Sequence, residues 1–313
     1  MSDPTTLQLD QFAHKRHLEG LSTPSLRSVA DQRRGYSLPR AHRFLAFQDR
    51  INAELLQHPV ITANPYTAWF RKGEQSFEQV KSFIVQFSVF SNRFLVAQLL
   101  KMINAETLEE MRASKEILAN EIGVVFNSKG KTPKGGFDST EDAYDAELVS
   151  TEGSVEGGVF HFRAGHLEWL LQIASGLGLG FGDVGKTRHG TASTQHFCDE
   201  LARLYGSEDY AVSQAASYAV ENWAAAGFWN ELIEGLGGFN RRTGADLPLG
   251  FFTWHSRLEA QHAQHTQEEL EALYFSTPLD EDRFVANGNE MLDGVMVFWH
   301  GLETQRRQIA GRK

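Results

Sequence analysis

Apolar positions recur at helical spacing along most of this chain. Phe44, Leu45, Phe47, Ile51, Leu55 and Leu56 form one stripe that ends before Pro59. After a turn at Asn64-Pro65, Ser76 is placed to cap a long helix that carries Val80, Phe83, Ile84, Phe87, Phe90, Phe94, Leu95, Leu99 and Ile103. So dense an apolar set implies burial on most sides. Leu108, Met111, Ile117, Leu118 and Ile122 mark a helix over 105–122, and His166, Leu167, Trp169, Leu170, Ile173, Ala174 and Leu177 mark another. Two more are predicted at 193–205 and 207–235, the second halted by the glycines at Gly235 to Gly238. A helix entered from Leu247-Pro248 and a last one over 280–308 complete the set. Short Val/Ile/Thr runs at regular spacing, the mark of a sandwich or barrel, are missing. The pattern therefore predicts an all-α fold, a bundle of about seven or eight helices around one core.

Two stretches interrupt it. Residues 1–38 are polar, contain Pro4, Pro24 and the break Arg33-Arg34-Gly35, and read as an N-terminal arm ahead of a single domain over 39–313. Residues 124–158 carry Lys129-Gly-Lys-Thr-Pro-Lys-Gly-Gly136, an acidic run from Asp138 to Glu147, then Gly153, Gly157 and Gly158. They read as a long loop or insertion with room for a hairpin.

Charge narrows the function. The 313 residues carry 30 basic and 40 acidic side chains, a net charge of -10 with no long basic run, which argues against a nucleic-acid or membrane-surface partner. A single cysteine, Cys198, excludes an internal disulfide framework and a cysteine-rich zinc ribbon. It reads as a small buried side chain in a reducing compartment. No apolar run at the N-terminus reaches signal-peptide length, and nowhere do about 18 uncharged apolar residues follow one another, so a cytoplasmic protein is expected.

Gly180-Phe-Gly-Asp-Val-Gly-Lys-Thr187 spells the P-loop pattern, which works only between a buried strand and a helix N-terminus. Here the lead-in from His166 to Leu179 has helical spacing, and Arg188-His-Gly-Thr-Ala-Ser193 is a poor helix start. The segment reads as a glycine-rich interhelical loop with Lys186 and His189 at the surface.

The candidate chemistry lies elsewhere. His255, Glu259 and His262 stand at i, i+4 and i+7, within about 60° of arc on a helix. Two imidazoles and a carboxylate on one face suit iron, manganese or zinc, and the apolar lead-in from Leu247 to Trp254 predicts that the first turns are buried. Glu221 stands among Val220, Trp223, Ala224, Ala225 and Phe228, where a carboxylate needs a partner. Glu121 closes its helix against the macrodipole, which suggests a use beyond helix formation. With His166 these make three carboxylates and three histidines, enough to bind two divalent metals and leave open positions.

With His255-x3-Glu259-x2-His262, Glu221 ahead of it, Glu121-Ile-Gly123 and Gly165-His-Leu-Glu-Trp-Leu170, the chain resembles the heme-oxygenase-like diiron oxidases and oxygenases over residues 76–300. These share the fold of the TenA thiaminases and of the PQQ-synthesis oxidase PqqC. The resemblance implies Glu121, His166, Glu221, His255, Glu259 and His262 as ligands of two irons that activate O2 to oxidise an amino acid, amine or fatty acid. It also implies that an external electron donor can serve the enzyme and that the chain can form a homodimer. Two features depart from the family pattern. Glu259 replaces the usual Asp, and Glu121 and His166 are separated by the 124–158 insertion, with Glu116 and His161 as their nearest substitutes. A cofactorless PqqC- or TenA-like enzyme, a mononuclear site on His255, Glu259 and His262, and a noncatalytic helical partner protein are the competing readings.

Overall fold

In the computed structural model, the backbone is described for residues 4–127, 151–155, 158–162 and 164–311. Side chains are described there except at 4–7, 109, 120, 125–127, 151–155, 158–162 and 258–265. Among the described residues there are thirteen α-helices and one small sheet. The long helices match the apolar stripes: α3 (Leu38–Glu54), α6 (Phe77–Ile103), α7 (Leu108–Glu121), α8 (His166–Gly176), α9 (Ala192–Glu200), α12 (Gly250–Ser276) and α13 (Glu281–Ala310). The count exceeds the expected seven or eight because short helices and one broken helix carry too few periods to register in a pattern.

Local chemistry sets the ends. Ser76 accepts from the Gln79 N–H at 3.3 Å while the Gln79 side chain accepts from the Ser76 N–H at 2.9 Å, a reciprocal cap on α6. Thr107 and Glu110 do the same for α7, at 3.2 and 3.1 Å. Although α6 is long and apolar enough to cross a membrane, it is a core helix here, with Val80, Phe83, Ile84 and Phe87 fully buried.

The expected helix over 207–235 is two helices, α10 (Tyr210–Ala225) and α11 (Phe228–Thr243). The break falls at Gly227, whose φ of 94° belongs to the left-handed region that favours glycine. Gly235 to Gly238 do not stop α11. They let it press against its neighbours: a β-carbon on Gly235 would lie 2.3 Å from the Phe70 carbonyl oxygen, and one on Gly238 would lie 2.9 Å from Gly73 Cα. Phe70 ends α5 (Pro65–Phe70), which follows the single-turn α4 (Pro59–Thr62). Glycine reads alike in sequence whether it terminates a helix or admits a neighbour.

The N-terminal segment contains α1 (Pro4–Arg16) and α2 (Thr23–Ala30), and its Leu18, Leu21, Leu26 and Val29 are buried. It is tied to α12: the Ser22 N–H and hydroxyl donate to the fully buried Glu271 carboxylate at 3.0 and 2.5 Å, and Tyr36 stacks on Phe275 at 4.5 Å.

The 124–158 stretch opens and closes as a sheet of β1 (Val124–Asn127), β2 (Thr151–Val155) and β3 (Gly158–Phe162), in the order β1-β3-β2 with antiparallel neighbours. Residues 128–150 lie outside the described residues. Val124 pairs with Phe162, so the excursion returns to the place it left. This closure brings the end of α7 to the start of α8.

Candidate functional site

A cavity of ≈280 Å³ opens among α6, α7, α8, α10, α11 and α12, and Glu121, His166, Glu221 and His255 all line it. Four of the six residues selected from sequence thus converge from four separate helices. Glu259 and His262 lie within α12, but their side chains fall outside the described residues, as does that of His161. Glu116 also lines the cavity from an exposed position on α7. Among the described residues, no group of three or more His, Cys, Asp or Glu is close enough to hold a metal ion.

The two histidines are held similarly. His166 Nδ1 meets Glu121 Oε2 at 2.6 Å, and His255 Nδ1 donates to the Phe251 carbonyl one turn back, also at 2.6 Å. A carboxylate or carbonyl on Nδ1 fixes the tautomer and leaves the lone pair on Nε2, the arrangement that metal-binding histidines use. His166 is 5% exposed, and its Nε2 is buried with no hydrogen-bond partner among the described residues. A buried polar atom left unpaired is costly, so this nitrogen suits a ligand that binds there. The imidazole centroids lie 4.5 Å apart at 61°. Trp229 stacks on His255 at 4.6 Å and Trp254 meets His166 edge-on at 5.0 Å, so aromatic faces flank the pair.

Gly165 lies where the end of α7 meets the start of α8, beside the contact between Glu121 and His166. A β-carbon there would lie 3.0 Å from the Glu121 carbonyl oxygen and 3.2 Å from the Ile122 carbonyl carbon. The Gly165 N–H donates to the Glu168 carboxylate at 2.6 Å, which caps α8 at the turn that presents His166.

Some cavity residues escaped the sequence reading. Thr266 and Glu269 line it from α12 and continue the 4-3 spacing of 255, 259 and 262 for two further positions. Lys101, from the last turn of α6, and Ser217, from α10, line it as well. A lysine at a helix C-terminus is ordinary on macrodipole grounds, so Lys101 gave no signal. Nearby, residues Leu201–Tyr205 form a π-helical turn, a geometry frequent at functional sites, and Tyr205 is fully buried at its end. Burial raises the Tyr205 phenol well above its ordinary pKa, and the negative fields of Glu221, Glu269 and Glu121 add to that.

The P-loop look-alike follows a helix instead of a strand. Its Gly180 N–H donates to Asp183 at 2.8 Å, its Lys186 ammonium covers the Phe181 ring at 3.7 Å, and only a short 3-10 turn, Thr187–His189, follows.

No family model matches the chain, and no curated protein gives a significant match. Among solved structures it is similar to a CADD-like protein of unknown function from Nostoc punctiforme, at 18% identity and a TM-score of 0.54, covering 85% of this chain and 99% of that one. It is also similar to a domain of unknown function with a heme oxygenase-like fold from Shewanella denitrificans, at 13% identity and a TM-score of 0.55, covering 85% and 94%. The chain has a heme-oxygenase-like fold. A TenA homolog from Pseudomonas syringae pv. tomato shares it at 12% identity and a TM-score of 0.51, covering 85% and 93%. At these identities the likeness is one of heme-oxygenase-like architecture, which hosts its functions in sites and does not dictate them.

Proposed function

We propose that the protein is a non-heme diiron enzyme that uses O2 to oxidise a small organic molecule held in the ≈280 Å³ cavity. The observation that carries this reading is the pairing of His166 and His255, each engaged at Nδ1, in a cavity that Glu121 and Glu221 also line. The proposed ligands are Glu121, His166, Glu221, His255, Glu259 and His262, a carboxylate and imidazole mixture suited to iron. Bound iron would supply the redox electrons and the open positions that O2 chemistry requires.

The chain's own residues have definable tasks. Glu121 Oε2 holds His166 in one tautomer with Nε2 turned to the ligand side, and the second carboxylate oxygen is the donor it would offer a metal. The Phe251 carbonyl does the same for His255. Trp229, Trp254 and Phe251 pack around the imidazoles and keep water from them. Glu221 supplies negative charge from α10.

Anaerobic Fe(II) titration followed by O2 exposure, read by optical and Mössbauer spectroscopy, tests this on wild type, His166→Ala and His262→Ala. The expected result is two irons per chain, a spin-coupled diferric product, and loss of that product in both variants. One iron per chain would assign a mononuclear site instead. No specific iron binding would overturn the proposal.

A further inference from the structure

Lys101 is only 9% exposed, and what it touches is unusual for a buried cation. Its ammonium donates to the Ser217 hydroxyl at 2.7 Å and lies 5.0 Å from the centroid of the Tyr205 ring. That ring is fixed in turn, because the fully buried Gln98 donates to the Tyr205 hydroxyl at 2.8 Å. Among the described residues Lys101 has no ion-pair partner, although an ammonium has three protons to donate. Burying a charge is costly unless an opposite charge joins it. The adjoining cavity wall is apolar, formed by Phe90, Phe94, Ile117 and Val220. Among the described residues, no ion pair within 4.0 Å joins the ammonium to Glu116, Glu121 or Glu269, which line the same cavity.

We infer that Lys101, assisted by Ser217, anchors the carboxylate of an organic acid whose apolar body lies along the Phe90, Phe94 and Val220 wall. This deepens the proposed oxidase reading, on which the significance of the bound acid rests, by choosing acids over amines as the substrate class. The binding itself depends only on side chains of this chain. The cavity's volume of ≈280 Å³ stands at the small end of ligand sites, which run to about 300–1,000 Å³, and so favours a compact acid.

The test uses the full chain, both chelator-treated and loaded with Mn(II), and three probes of one shape: 3-phenylpropionate, 3-phenylpropanamide and 3-phenylpropylamine. Binding is read by calorimetry and by the fluorescence of Trp223, Trp229 and Trp254, which line the cavity. Wild type is expected to bind the acid about tenfold more tightly than the amide, the scale of one charge-assisted hydrogen bond. Lys101→Met is expected to erase that preference and keep the amide affinity, and Ser217→Ala to reduce the preference. Should Lys101→Met not fold, the acid and amide comparison on wild type and Ser217→Ala decides. Failure of the wild type to distinguish acid from amide, including absence of saturable binding by either, overturns the inference, as does preference for the amine. An acid preference in the chelated protein supports it whether or not iron binds. A preference that requires metal and survives Lys101→Met overturns it and leaves the diiron reading standing.

Discussion

Gly165 lies against Glu121 so closely that a β-carbon on the glycine would come within 3.0 Å of the Glu121 carbonyl oxygen. The obstructing atoms belong to backbone, which cannot swing aside as a flexible side chain would. Gly165→Ala is therefore expected to push α7 from α8 and to break the 2.6 Å contact between Glu121 and His166. A loss of about 1–3 kcal/mol in denaturant unfolding, typical of overpacking, should accompany weaker iron binding. Wild-type iron stoichiometry in Gly165→Ala would show that this close approach does not matter.

Glu121→Gln keeps the shape and removes the charge that holds His166. Because partners of this kind usually contribute 10–100-fold to metal affinity, a drop of about that size is expected, with little change in thermal stability. Competition against a fluorescent metal chelator measures it. An unchanged affinity would remove Glu121 from the site.

Glu271 is fully buried on α12 and accepts from the Ser22 N–H and hydroxyl and from Gln267 Nε2 at 3.2 Å. Glu271→Ala strands those part-buried donors, for an expected cost of about 1–3 kcal/mol. Hydrogen exchange should locate the loss in residues 250–276 and in α2. A uniform change across the chain would contradict the clamp.

Glu303 gives a pH dependence with a definite sign. Burial alone would raise its pKa, but hydrogen bonds from Arg306, at 2.5 and 2.7 Å, and from Arg307, at 2.7 Å, outweigh it and hold the carboxyl below its ordinary value of 4.5. A folded-state pKa below the unfolded one contributes stability that is present above the unfolded value and lost as pH falls through the folded one. Denaturant midpoints at about pH 7 and about pH 4 should therefore differ less in Glu303→Gln than in wild type. Parallel losses in the two proteins would mean that other carboxylates govern acid unfolding.

Burial pushes the Cys198 thiol up to about 12. Since the thiolate is the reactive form, iodoacetamide at about pH 8 should label native protein only as fast as the chain opens, and label urea-unfolded protein quickly. Fast labelling of the native state would place the thiol in a different environment.

The sequence by itself determined the helices, because burial of a 3.6-residue stripe leaves its mark locally. It also marked Glu221 as a carboxylate in apolar company, His255, Glu259 and His262 by their helical spacing, and Glu121 by its place against the macrodipole. It could not say that the 124–158 excursion returns to its start, which depends on Val124 pairing with Phe162 across the chain. Nor could it separate Gly227, which breaks a helix, from Gly235, which admits Phe70, because only the neighbour's position distinguishes them. Lys101 was likewise an ordinary end-of-helix lysine until α10 covered it with Ser217 and the π-helical turn brought the Tyr205 ring beneath it. Tertiary structure decided these features because each consists of a contact between residues far apart in the chain, and local periodicity carries no information about which distant surface will be met.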